Sequence, residues 1–208
     1  MKFTLTYDGE LSSNGDYRKK WEIRKQFHPQ LQELWRINPS LRNVLRHRHI
    51  PLSAGYWKME THHSLEDDSE PLPPAGAELD LCAPMKVGQR EFMPLVRNTF
   101  ALTCGLKILF LRKEAPGRVY QGGDLDNRLK TLFDALSAPN DQQLVDDASL
   151  DNPIFCLLED DSLISSVDIE TRRLLSRPNA SQHEVHLVID VDVRVTQSRL
   201  YNQPFLGD

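Results

Sequence analysis

The chain has 208 residues, 39% of them hydrophobic and 26% charged, which is enough to bury the core of a single domain, 1–208, carrying insertions. No apolar run approaches the roughly 20 residues of a membrane helix, and MKFTLTYDGE at the start has no apolar signal segment, so no membrane partner and a cytoplasmic protein are expected. Cys82, Cys104 and Cys156 are far apart and odd in number; that excludes a zinc site of ordinary spacing and points to reduced thiols.

In chain order, Phe3, Leu5 and Tyr7 alternate as a first strand. Beyond Asp16 the spacing of Tyr17, Trp21, Ile23, Phe27, Leu31, Leu34 and Trp35 predicts an amphipathic helix, interrupted by Pro39 and Pro51. From Tyr17 to His49 nine Arg or Lys residues stand against Glu22 and Glu33, a net +7 with His neutral. His47, His49, His62 and His63 read as loop or surface histidines. A first insertion or loop, acidic and Pro-rich (EDDSEPLPPAGA), is expected over 61–80. Arg97 to Arg112 then supplies a central strand around the run LKILFL. Gly117, Gly122 and Gly123 punctuate the loop that leads out of it.

The segment GDLDNRLKTLFDAL, Gly123 to Leu136, carries the chemistry. Leu125, Leu129, Leu132, Phe133 and Leu136 recur at helical spacing, leaving Asp126, Lys130 and Asp134 on the opposite edge at i, i+4 and i+8. Two carboxylates, Asp124 and Asp126, thus stand where a strand turns into a helix. An N-cap and surface i,i+4 pairs are the ordinary account of such a pattern. A second insertion is expected over 137–155, holding the pair Asp146-Asp147. A second acidic pair, Asp160-Asp161, lies between the apolar run Ile154 to Leu158 and a strand over Leu163 to Ile169. The final strand is the clearest, with Val185, Leu187, Ile189, Val191, Val193 and Val195 at period two. The elements together predict an α+β fold, a mixed β-sheet with helices packed mainly on one face.

The pattern D-x-D-N-x-x-K-x-x-x-D-A-L followed by D-D resembles the RusA-like family of Holliday junction resolvases, metal-dependent endodeoxyribonucleases of DNA recombination and repair. The resemblance covers Phe100 to Ile169 and extends only loosely to the first hundred residues. It implies a RusA-like fold, Asp124, Asp126 and the second Asp of the downstream pair as metal-binding catalytic carboxylates, and Lys130 as the basic catalytic residue. Asn127 and Asp134 are supporting positions. In the family the acidic pair follows the helix after a short loop, whereas here about twenty residues intervene. Asp161 is the preferred third ligand because apolar runs flank it; Asp160 and Asp147 are its rivals, and spacing alone favours Asp147.

Phosphodiester hydrolysis needs charge stabilisation on a non-bridging oxygen and on the leaving 3′ oxygen, which hard cations on carboxylates provide. All-oxygen ligands select Mg2+, with Mn2+ as an alternative. From Asp124 to Glu170 twelve acids face only Arg128 and Lys130, so a basic arm is joined to an acidic pocket. Arg18, Lys19, Lys20, Arg24 and Lys25 are the candidate contacts to backbone phosphates. The expectation is a magnesium-dependent, structure-specific endodeoxyribonuclease on branched DNA such as a four-way junction, acting as a homodimer because two symmetric strands are cut. A catalytically inactive DNA- or partner-binding protein on the same fold and a metal-dependent phosphohydrolase on nucleotides are the alternatives. Salt dependence separates the last of these, since small phosphate esters make few phosphate contacts.

Overall fold

The computed structural model describes residues 1–13, 15–51, 76–113, 124–145, 147, 149–175 and 183–206, and the backbone alone of Asp124 and Leu200. The main sheet contains β1 (Lys2–Glu10), β9 (Glu184–Val195), β6 (Leu102–Arg112) and β8 (Ile164–Arg173), in that spatial order. β9 runs antiparallel to both β1 and β6, whereas β6 and β8 are parallel. A parallel pair needs a crossover, and α3 (Asp124–Leu136) supplies it.

Period two decides which face is buried. In β9, Val185, Leu187, Ile189, Val191 and Val193 point into the core and Asp190 and Arg194 outward. In register beside them, Leu106, Ile108 and Phe110 of β6 face the core and Lys107 faces solvent. Against the apolar face lie α1 (Tyr17–Ile37), through Ile23, Phe27, Leu31 and Trp35, and α3, through Leu125, Leu129, Leu132 and Leu136. The expected α+β architecture, with helices on one face of a mixed sheet, is therefore present. No described helix is long and apolar enough to cross a membrane.

Local chemistry sets the helix ends. Asp16 caps α1 by accepting the Lys19 amide at 2.9 Å. Asn38 closes α1 through its own amide, which donates to the Leu34 carbonyl at 2.9 Å, and caps α2 (Pro39–Arg46) by accepting the Leu41 amide at 3.1 Å. The α1 start meets α3 closely: the Gly15 amide donates to Thr131 Oγ1 at 3.0 Å. A Cβ on Gly15 would stand 2.6 Å from Thr131 Cγ2, so a larger residue would push the helices apart.

Two smaller sheets go beyond the single sheet read from the sequence. One pairs β2 (His49–Pro51) with β3 (Glu78–Asp80), so the far end of the expected 61–80 insertion is a strand; residues 52–75, with His62 and His63, lie outside the described residues. The other joins β4 (Met85–Val87), β5 (Arg90–Val96) and β7 (Ile154–Leu158). β5 lacks alternation because Phe92 to Val96 are all buried. This sheet has its own core of Val87, Phe92, Ile154, Cys156 and Trp21, so Trp21 leaves the apolar face it was expected to share with Phe27 and Trp35.

The second insertion is a closed excursion. It leaves at the end of α3 and returns there: the Ala138 amide donates to the Leu158 carbonyl at 2.9 Å, and Ser137 and Leu158 form a parallel bridge. Its far limb is β7, which pairs parallel with β5.

Candidate active site

α3 begins at Asp124 and carries the expected polar stripe, but the stripe divides into two halves. In the N-terminal half Asp126 and Lys130 are exposed, and neither takes part in an ion pair or side-chain hydrogen bond among the described residues. In the C-terminal half Asp134 is committed: Lys20 Nζ stands 2.6 Å from its Oδ2, with both side chains largely covered. The i,i+4 pairing of Lys130 with Asp126 or Asp134 is not formed. Asn127 is half-buried, and its carbonyl accepts the Thr131 hydroxyl at 3.1 Å. The Asp124 side chain lies outside the described residues.

Because the insertion returns to α3 at Ser137, Asp160 and Asp161 follow the helix directly in space. They sit between β7 and β8, as expected, on a single 3-10 turn, Asp161–Leu163, that rests against α3 and β6 and buries Leu163. The two acids do different work. Asp160 Oδ1 accepts the Ser162 amide at 2.9 Å as the cap of that turn, and Ser162 holds its pKa below the ordinary carboxylate value. Asp161 is exposed and has no described partner. Asp160 is therefore a turn former, which leaves Asp161 as the free carboxylate of the pair.

Asp147 is different from the solvated loop residue that its Asp-, Asn- and Pro-rich surroundings suggest. Its Oδ2 accepts the Trp21 indole N–H at 3.1 Å and lies 3.3 Å from Lys25 Nζ, while Oδ1 accepts the Ser149 amide at 2.8 Å. Arg90 donates to its carbonyl. Hydrogen bonds from Ser149 and Trp21, with Lys25 beside them, hold its pKa well below the ordinary range. The expectation that nothing fixes this residue is corrected: it fastens the insertion to α1.

The basic arm also needs correction. Arg24 is 1% exposed and cannot grip a phosphate. Its Nη2 donates to the Asp134 and Ser137 carbonyls at 2.8 and 2.9 Å, which neutralises the negative end of α3, and its guanidinium lies 5.7 Å from the Trp21 ring centre. Burial draws its pKa down to about 10, still charged at neutral pH. Lys20 and Lys25 are held by Asp134 and Asp147. Arg18 and Lys19 remain exposed and turned to Tyr17 and Ser12. Sequence reasoning passed over Arg42 and Arg46, exposed on α2 with no described acidic partner; their i,i+4 spacing on a helix without acids was the available signal.

Among the described residues no three His, Cys, Asp or Glu side chains gather as a ligand set. The D-x-D marks the N-terminal end of α3, while the Asp160-Asp161 pair follows Leu158, which bridges to the C-terminal end. Compared with known proteins, the chain matches no family model, no curated protein and no solved structure.

Proposed function

We propose that the protein is a metal-dependent phosphodiesterase, and within that class a RusA-like endodeoxyribonuclease that cuts branched DNA as a homodimer. One observation carries the reading: closure of the insertion at Ser137 and Leu158 takes it out of the count, so that D-x-D, helix and D-D follow in the order that the resemblance requires. The exposed, uncommitted state of Asp126, Lys130 and Asp161 supports it.

In this reading Asp124 and Asp126 hold the cation at the N-terminal end of α3, and Asp161, which follows the opposite end of the helix, is the third ligand on the resemblance alone. Their donors are all carboxylate oxygens, which suit magnesium or manganese. When bound, such an ion supplies charge for the developing phosphorane oxygens and a more acidic water. Lys130 sets a positive charge one helical turn from Asp126, beside the phosphate that is cut. The N-terminal end of α3 adds its dipole to the attraction for that phosphate. Arg18 and Lys19, with Arg42 and Arg46, contact the DNA backbone. Asp134, assigned a supporting role, acts by fixing α3 to Lys20 of α1.

The test is incubation of the purified protein with a four-way junction and a linear duplex, in magnesium, manganese or chelator, at several salt concentrations. Cleavage of the junction that needs a divalent ion and weakens steeply with salt is the expected result. Binding without cleavage in any metal would favour the inactive DNA-binding alternative, and turnover of small phosphate esters with little salt dependence would favour the nucleotide phosphohydrolase.

A further inference from the structure

β8 closes one edge of the main sheet, and no described strand pairs with its outer side. Long strand edges are templates for a further strand, and proteins ordinarily blunt them with proline, bulges, charges or short length; the register shift against β6 falls at Ser165, before the stretch from Ser166 to Arg173, whose charges are of both signs. This one runs for 10 residues, ISSVDIETRR, with no proline. Val167 in it is 42% exposed, and Leu175 just beyond it is 90% exposed. We propose that this edge is a homodimer interface, in which β8 pairs antiparallel with β8 of a second copy about a two-fold axis at Thr171.

Backbone direction rules out an axis between two residues, and side-chain complementarity selects the residue. The Leu174 amide donates to the Arg112 carbonyl at 2.7 Å, so the even-numbered residues turn their backbone groups toward β6. By alternation Val167, Ile169, Thr171 and Arg173 turn theirs outward, and Thr171 opposite its own copy forms a hydrogen-bonded pair. With Thr171 on the axis, Glu170 of each copy stands opposite Arg172 of the other, in the closer, non-hydrogen-bonded positions. The same register sets Val167 opposite Leu175 and covers both exposed apolar side chains. An axis at Asp168, Glu170 or Arg172 sets each of these charges against its own copy, and an axis at Ile169 sets Asp168 against Glu170; each arrangement is repulsive. In one chain Arg172 Nε already bonds Glu170 Oε1 at 2.7 Å, so the dimer closes two such pairs into a four-charge network.

The interface does not depend on the nuclease reading, and a dimer that cleaves nothing would leave it standing. The experiment is light scattering on the full chain at micromolar concentration, with Glu170→Arg, Arg172→Glu and the double exchange. Wild type is expected to be dimeric, each single reversal to shift toward monomer, and the double exchange to restore the dimer. Thr171→Cys, oxidised, is expected to form a cross-linked dimer, because Cα atoms about 5.5 Å apart in such a pair suit a disulfide. Val167→Cys is expected not to cross-link, its copies being about 27 Å apart. The Thr171 result holds even if a charge reversal impairs folding. A monomeric wild type, dimers indifferent to both single reversals, or cross-linking at position 167 in place of 171 would overturn the proposal.

Discussion

The seam between α1 and the insertion and the N-terminal half of α3 both concentrate acidic residues, yet the two regions treat them oppositely. Where α1 meets the insertion and the C-terminal half of α3, Asp147 is spoken for by Trp21, Lys25 and Ser149, and Asp134 by Lys20. At the start of α3 and on the turn before β8, the carboxylates of Asp126 and Asp161 bond to nothing described. A saturated carboxylate holds the fold; an exposed, uncommitted one is available to a ligand. Substitutions in the seam should therefore change stability and leave the chemistry, and substitutions at the free acids should do the reverse.

The largest stability effect is expected from Trp21→Ala, which opens the small core around Phe92 and Ile154 and removes a donor to Asp147. Urea denaturation should show a loss of about 3–5 kcal/mol. Arg24→Ala follows, at about 3 kcal/mol, because two carbonyls at the end of α3 lose a charged donor. Junction cleavage measured well below the unfolding midpoint should survive both changes; its loss with the fold intact would break the division between the regions.

A smaller effect concerns pH. His28 Nδ1 accepts the Phe155 amide at 2.9 Å, and burial holds its pKa below the ordinary value, so the fold favours neutral imidazole. Above about pH 6.5 the folded and unfolded forms are both neutral and this residue contributes no pH dependence. Below it the unfolded chain takes up the proton first and stability falls. A stability profile of wild type against His28→Gln should show that part of the acid sensitivity disappear in the variant. The smallest effect is expected for Lys20→Met, about 0.5–1 kcal/mol by urea denaturation, because its ion pair with Asp134 is partly solvated.

Much of this division was legible in the sequence where period and local spacing carry it. The polar stripe of α3, the alternation of β9 and the apolar run that became β7 all follow from which face is buried. β5 was illegible because Phe92 to Val96 are all buried and no alternation survives. Asp147 was misjudged because its partners Trp21 and Lys25 lie more than a hundred residues away, and loop composition says nothing of them. Arg24 reads as a surface cation in the sequence because its role, closing the end of α3, exists only once the helices pack. For the third ligand, sequence spacing favoured Asp147. The return of the chain to Ser137 removes the insertion from that count and supports Asp161.

The most direct measurement is cleavage of a four-way junction in magnesium by wild type and by Asp126→Asn, Asp161→Asn and Asp147→Asn, with thermal unfolding recorded for each. The account predicts that wild type cuts and that chelator stops it. Asp126→Asn and Asp161→Asn should unfold like wild type and lose about a hundredfold or more in rate. Asp147→Asn should still cut but unfold more easily. An inactive Asp147→Asn beside a fully active Asp161→Asn would contradict the assignment of the third ligand, and an Asp126→Asn variant that kept more than about a tenth of the wild-type rate would contradict the proposed metal centre itself.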